Sequence, residues 1–216
     1  MADSYHHGNL RQALIEAGIR IINEKGEDDL SLRKVAAACG VSHAAPYAHF
    51  KDKEELLEAI KKSVTDRFTD ELQNAVSKGR NAEEAMILMG KAYVSFFSQN
   101  PDHYTFLFGK SNICAHLQMD QNHEEDYPPF LLLRKLYKDY LTENGIEQTE
   151  KEQEIGLIKT WALVHGLASI ACMKGVDSSM NWSDPDIRLL IPGNNRVRAT
   201  GDGSPAQNEP QNRPCG

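Results

Sequence analysis

The chain has 216 residues, of which 40% are hydrophobic and 25% charged, and a net charge of −7. That length buries a core without metal or disulfide staples and excludes disorder throughout, while the acidic balance gives no whole-protein signature of a nucleic-acid binder. Four scattered cysteines with no CxxC pair read as reduced thiols, and no basic stretch followed by an apolar run opens the chain as a secretory signal would.

Helical periodicity dominates, and no alternating strand pattern is found. The first helix is expected over 8–25, with Leu10, Leu14, Ala17, Ile21 and Ile22 on one face and Gly26 as its stop. Ser31 is an N-cap for a short second helix, with Leu30 stapled to Val35. That helix ends at Cys39-Gly40, where glycine supplies a left-handed turn. Ser42 is expected to cap a third short helix from His43 to His49 or Phe50, with Pro46 at its fourth position, where a missing N–H costs little. Asp52 and Glu55 form an acidic capping box for a long helix to about Lys78, with Leu56, Ile60, Val64, Phe68 and Leu72 inward. Further helices are expected over 82–99, 102–108, 127–144 and 150–174, with a short piece at 185–190. From Pro192 onward, four Pro, four Gly and four Asn predict a disordered tail, 192–216.

The two short helices joined by Cys39-Gly40-Val41-Ser42 have the spacing of a helix-turn-helix, whose second helix presents its first residues to base edges in a major groove. His43 can exchange hydrogen bonds with a base, and Ala44 and Ala45 permit close approach. Tyr47 and His49 follow on the phosphate-facing side. Lys53 opens a helix, where a cation opposes the macrodipole unless a phosphate binds there; Asp52 and Glu55 supply the alternative of a merely solvated lysine.

The string Leu30-Ser31-Leu32-Arg33-Lys34-Val35-Ala36, Gly40-Val41-Ser42 and Tyr47-x-His49-Phe50-x-x-Lys53-Glu54-x-Leu56 resembles the N-terminal domain of TetR-family transcriptional regulators. The likeness covers about residues 8–62. Trp161-Ala162-Leu163-Val164-His165-Gly166 resembles a W-x-x-x-H-G signature of one subgroup's C-terminal domains. The resemblance implies an all-α protein: a three-helix DNA-binding domain (1–52) with a helix-turn-helix, then a helical-bundle domain (53–191) that binds an apolar or amphipathic effector and dimerises. It implies that Tyr47, His49 and Lys53 contact phosphates and that Arg33, Ser42, His43, Ala44 and Ala45 lie at or near the DNA. Residues 1–62 hold nine Lys/Arg against ten Asp/Glu, so binding needs a local basic face with the acids turned away.

In the second part, aromatics and methionines at helical spacing are core candidates. Met89, Tyr93, Phe97, Phe108, Tyr137, Trp161 and His165 are the candidates for an effector pocket. The stretch Ile155–Met173 is apolar nearly all round, but Lys159, Thr160, His165 and Ser169 argue against a membrane span. It reads as a helix buried on two sides, one of them against a second subunit, with small residues Gly156, Ala162, Gly166, Ala168 and Ala171 allowing close approach.

Two other classes stay open. Cys114 and His116, with Asp120 and His123 nearby, are plausible zinc or nickel ligands in a metal-responsive regulator, although solvated loop polarity is preferred and no metal or cofactor is assigned. The other is a helical protein, perhaps an enzyme, that has lost DNA binding. No nucleophile elbow, P-loop, GxGxxG or HExxH motif is present, and His165 near Ser169 is no triad, so no catalytic residue is assigned. The expectation is a cytoplasmic homodimeric regulator, more a repressor than an activator, with double-stranded operator DNA and a small-molecule effector as partners and no membrane.

Overall fold

A computed structural model of the chain describes residues 10–109, 113–119, 126–176 and 179–187. These form seven α-helices and two 3-10 turns, with no strand among them. The helices are α1 (Leu10–Lys25), α2 (Leu32–Ala38), α3 (Lys53–Val76), α4 (Ala82–Gln99), α5 (Pro101–Phe108), α6 (Pro128–Glu143) and α7 (Glu150–Cys172). The fold is all-α, as expected: an N-terminal helix-turn-helix unit followed by a helical bundle. Residues 8–9, the piece at 188–190 and the tail 192–216 lie outside the described residues.

The ends of α1 and α2 follow local chemistry. Gly26 stops α1 with φ +83° and donates to the Ile22 carbonyl at 2.8 Å. Ser31 caps α2, accepting from the Lys34 N–H at 3.2 Å. Gly40, at φ +68°, donates to Ala37, and Val41 reaches back to Ala36, the paired bonds of a Schellman motif. Leu30 and Val35 are both buried.

The expected third helix is different. It is a 3-10 turn, Ala45–Ala48, and Ser42 does not cap it; Ala44 takes the cap position without a side-chain bond. Pro46 has no N–H to offer, and the chain closes instead with three-residue bonds from Ala45 to Ser42 and from Tyr47 to Ala44. Pro46 is fully buried and anchors the turn.

Asp52 caps α3 by accepting from Glu55 N–H at 2.9 Å. The Glu55 carboxylate takes the Lys51 N–H rather than that of Asp52, so the capping box is displaced by one residue. The five predicted inward residues of α3 are all at most 1% exposed. The first half of α3 packs on α1, where a side chain at Gly18 would strike Ile60. Its second half packs on α4, with the Phe68 ring 4.7–5.1 Å from those of Tyr93, Phe96 and Phe97.

α4 is the centre of the second part and touches α3, α5, α6 and α7. α7 is the described helix long and apolar enough to cross a membrane by length and composition. In the single chain it buries one stripe, Leu157, Val164 and Ala168, while Ile155, Ile158 and Ile170 are 40–44% exposed. The small residues divide between uses. Gly156 faces Tyr137 within the chain, whereas a side chain at Gly166 would meet nothing.

Candidate nucleic-acid interface and helical cavity

The turn after α2 brings the predicted contact residues to one exposed corner. Arg33, Ser42, His43 and Ala44 are exposed, and Tyr47 is the most exposed large hydrophobic side chain described, at 56%. Ala45, His49 and Lys53 are half-buried. Phe50 is core, under the Arg11 guanidinium at 5.1 Å from its ring centre.

Lys53 is placed differently from a freely solvated lysine. Its Nζ donates to the Glu27 carbonyl at 3.1 Å, tying the start of α3 to the acidic turn after α1. Lys34 pairs with Asp29 and holds that carboxyl below its usual range. Lys51 lies 3.6 Å from Asp52 in an exposed pair worth little. At this corner Arg33, Lys51 and Lys53 stand beside the carboxylates of Asp52, Glu54 and Glu55.

Residues 14–60 match the family model for bacterial regulatory proteins of the tetR family. Over that stretch the N-terminal helices are similar to a TetR-family helix-turn-helix unit. Likeness to known proteins continues beyond it. An HTH-type transcriptional regulator of Mycobacterium tuberculosis is 27% identical over 95 residues, covering 44% of this chain and 43% of that protein. The regulator PksA of Bacillus subtilis is 24% identical over 178 residues, 82% of this chain and 85% of its own. A solved structure from Rhodococcus sp. RHA1, a protein of unknown function, is 26% identical with a TM-score of 0.65, covering 82% of this chain and 91% of that one. The chain spans about half the length of several curated relatives it matches.

The predicted effector residues do not form one pocket. Met89, Tyr93 and Trp161 line a cavity between α4, α6 and α7 together with Met86, Gly90, Tyr127, Phe130, Leu133 and Val164. Phe97, Phe108, Tyr137 and His165 lie outside its lining. Phe97 faces Phe68; Phe108 stacks edge-on to His165 at 4.7 Å; the Tyr137 hydroxyl donates to Gln148 at 3.1 Å. The cavity holds about 30 Å³, room for one water, against the ~300 Å³ or more of a typical ligand pocket. Ligand entry requires these side chains to part.

Polar groups edge this apolar site. His165 sits between two tyrosines, with Nδ1 2.9 Å from the Tyr93 hydroxyl and Nε2 3.0 Å from that of Tyr104. Burial lowers the His165 pKa and raises those of Tyr93 and Tyr104. Both ring nitrogens of this partly buried histidine thus lie at hydrogen-bond distance from phenols. Tyr127 was not among the predicted residues. It is 8% exposed, and its buried hydroxyl has no close hydrogen-bond partner among the described residues, with the Thr65 side chain as its polar neighbour. Its one visible signal is an aromatic placed just before Pro128-Pro129. A second cleft, about 870 Å³ and open, lies at the α6–α7 turn among Lys138, Ile146, Glu150 and Glu154. Of the metal candidates, Asp120 and His123 lie outside the described residues.

Proposed function

We propose that the chain is a one-component, homodimeric transcriptional regulator, a repressor that a small apolar or amphipathic effector releases from operator DNA. The observation that carries this reading is the exposed corner of Ser42, His43, Ala44 and Tyr47 on a unit matching the TetR family model. In it Arg33, Ser42, His43, Ala44 and Ala45 approach base edges, and Tyr47, His49 and Lys53 hold phosphates. For Lys53 this means exchanging the Glu27 carbonyl for a phosphate, or bonding both through its three protons.

Residues 1–52 form the DNA-reading domain and 53–191 the regulatory and dimerisation domain, with α3 running from one into the other. The exposed isoleucine stripe of α7 supports a two-fold dimer, which a reader of two half-sites needs. Trp161 and His165, one turn apart on α7 beside the cavity, support a C-terminal domain of the W-x-x-x-H-G kind. The effector opens the closed cavity, supplies a hydrogen bond to the buried Tyr127 hydroxyl and tilts α3, which moves the two reading heads out of register. The protein would act in the cytoplasm.

The test is binding of the purified protein to labelled DNA from upstream of its own gene, against a scrambled duplex. Preferential binding is expected, weakened by Tyr47→Ala with melting temperature unchanged. Equal binding to both duplexes, or an unaffected Tyr47→Ala, overturns the reading.

A further inference from the structure

Away from the reading corner, among the described residues, three side chains bring a thiol, an imidazole and a carboxylate to one place. Cys114, His116 and Asp126 offer ligand-type atoms that all lie within 4.8 Å of one another. A tetrahedral zinc ion, at its usual bond lengths, separates such atoms by about 3.3–3.6 Å. Shifts of about an ångström bring the trio to coordination distance.

Contacts independent of any ion hold the three in place. Asp126 is 3% exposed, and its Oδ2 accepts from Arg134 Nη2 at 3.0 Å. Its Oδ1 accepts from the His116 backbone N–H at 2.9 Å and lies 2.8 Å from His116 Nδ1. Arg134 also donates through Nη1 to the carbonyls of His116 and Gln118, at 2.9 and 3.0 Å. The Tyr127 N–H, beside Asp126, donates to the Cys114 carbonyl at 2.9 Å. The 113–119 segment is thus stitched to the start of α6 on both sides. Outer bonds of this kind orient metal ligands and fix an imidazole's rotation. A buried ion-pair network by itself uses Asp126, Arg134 and His116. It makes no use of the Cys114 thiol, which stands at the solvent side, where an ion would enter.

We propose that Cys114, His116 and Asp126 bind one divalent ion of the zinc class, with water as the fourth ligand. A thiolate and an imidazole favour zinc or cobalt over magnesium or calcium. On binding, the thiol gives its proton to solvent, a neutral imidazole nitrogen gives a lone pair, and the Asp126 carboxylate gives Oδ1 while Arg134 keeps its hold on Oδ2. Thiolate and carboxylate together balance the ion's charge. The site goes beyond the regulator reading, does not depend on it, and is tested without DNA.

The experiment titrates the reduced, full-length protein with Co²⁺ and records its absorption spectrum. One equivalent is expected to raise an intense near-ultraviolet sulfur-to-cobalt band and the visible bands of a four-coordinate ion, and one equivalent of Zn²⁺ to remove both. Cys114→Ser abolishes the ultraviolet band, and His116→Ala weakens cobalt binding by roughly 10-fold or more. Cys39→Ser, Cys172→Ser and Cys215→Ser leave the spectrum unchanged. Helical circular dichroism, expected to match wild type in each variant, shows that a lost band is a lost ligand rather than a lost fold. No band in the folded wild type overturns the proposal. So does a band that survives Cys114→Ser, or one that disappears with any of the other three cysteines.

Discussion

Gly156→Ala sets two opposing effects against each other where α6 and α7 cross. In an isolated helix, alanine is better than glycine by about 1 kcal/mol. Here the added methyl would lie 1.8 Å from the Tyr137 hydroxyl oxygen and 2.5 Å from Cζ. Ordinary contact begins at 3.4 Å, so the hydroxyl must withdraw by about 1.6 Å. Tyr137 is 7% exposed and its hydroxyl donates to Gln148 at 3.1 Å, so it has little room to move. Displacing a buried ring costs about 1–3 kcal/mol, and losing the hydrogen bond about 0.5–1.5 kcal/mol. Set against the propensity gain, the net loss is about 0.5–3.5 kcal/mol. Urea unfolding at fixed protein concentration, followed by helical circular dichroism, measures it. Tyr137→Phe removes the nearest atom, so Gly156→Ala should cost about 1 kcal/mol less in that background. A Gly156→Ala chain as stable as wild type, or strictly additive effects in the double variant, would show that the crossing is not as close as described.

Lys53→Ala is expected to lower stability by about 0.5–1 kcal/mol through loss of the Glu27 carbonyl bond, and to reduce the salt dependence of DNA binding by roughly one ion per half-site; an unchanged salt slope would assign Lys53 to folding alone. Burial lowers the pKa of both His103 and His165. As pH falls below about 6.5 the unfolded chain therefore takes up protons before the folded one, and stability drops until the folded histidines titrate. Melting temperature should fall between pH 7.5 and 5.5, with a shallower fall in His165→Gln, and a flat or rising profile would contradict the burial of these rings. Ile158→Asp puts a charge on the exposed α7 stripe and is expected to break the proposed dimer, so that sedimentation shows monomer.

Helix positions were largely legible because an apolar period of 3.6 and good caps are local signals. Leu56, Ile60, Val64, Phe68 and Leu72 follow from spacing alone. The turn after α2 was less so: the consequence of Pro46 lay in how three-residue bonds replaced the helix around it. Thr149 and Glu152 form a full capping box that a Thr-x-x-Glu search would have found. The cavity was only partly legible, for periodicity tells which face is buried but not what it meets. Phe97 and Tyr93 share α4 and both pack on Phe68, yet of the two Tyr93 alone lines the cavity. Asp126 carries no local signal either, because its burial depends on Arg134 a helix turn and more away.

α5 has a consequence for how motion passes through the molecule. One side of this eight-residue helix meets the aromatic cluster, with Tyr104 hydrogen-bonded to His165 and Phe108 stacked on it. Its other side meets α1 and α3: His103 lies 3.5 Å from the Asn23 amide of α1, and Phe106 packs under Lys61 of α3. A single rod such as α3 would leave the N-terminal helices free to swivel about its axis. A second strut beside it removes that freedom, as a brace does in a truss. A rearrangement of the His165 cluster is therefore expected to press on α1 through α5 as well as through α3.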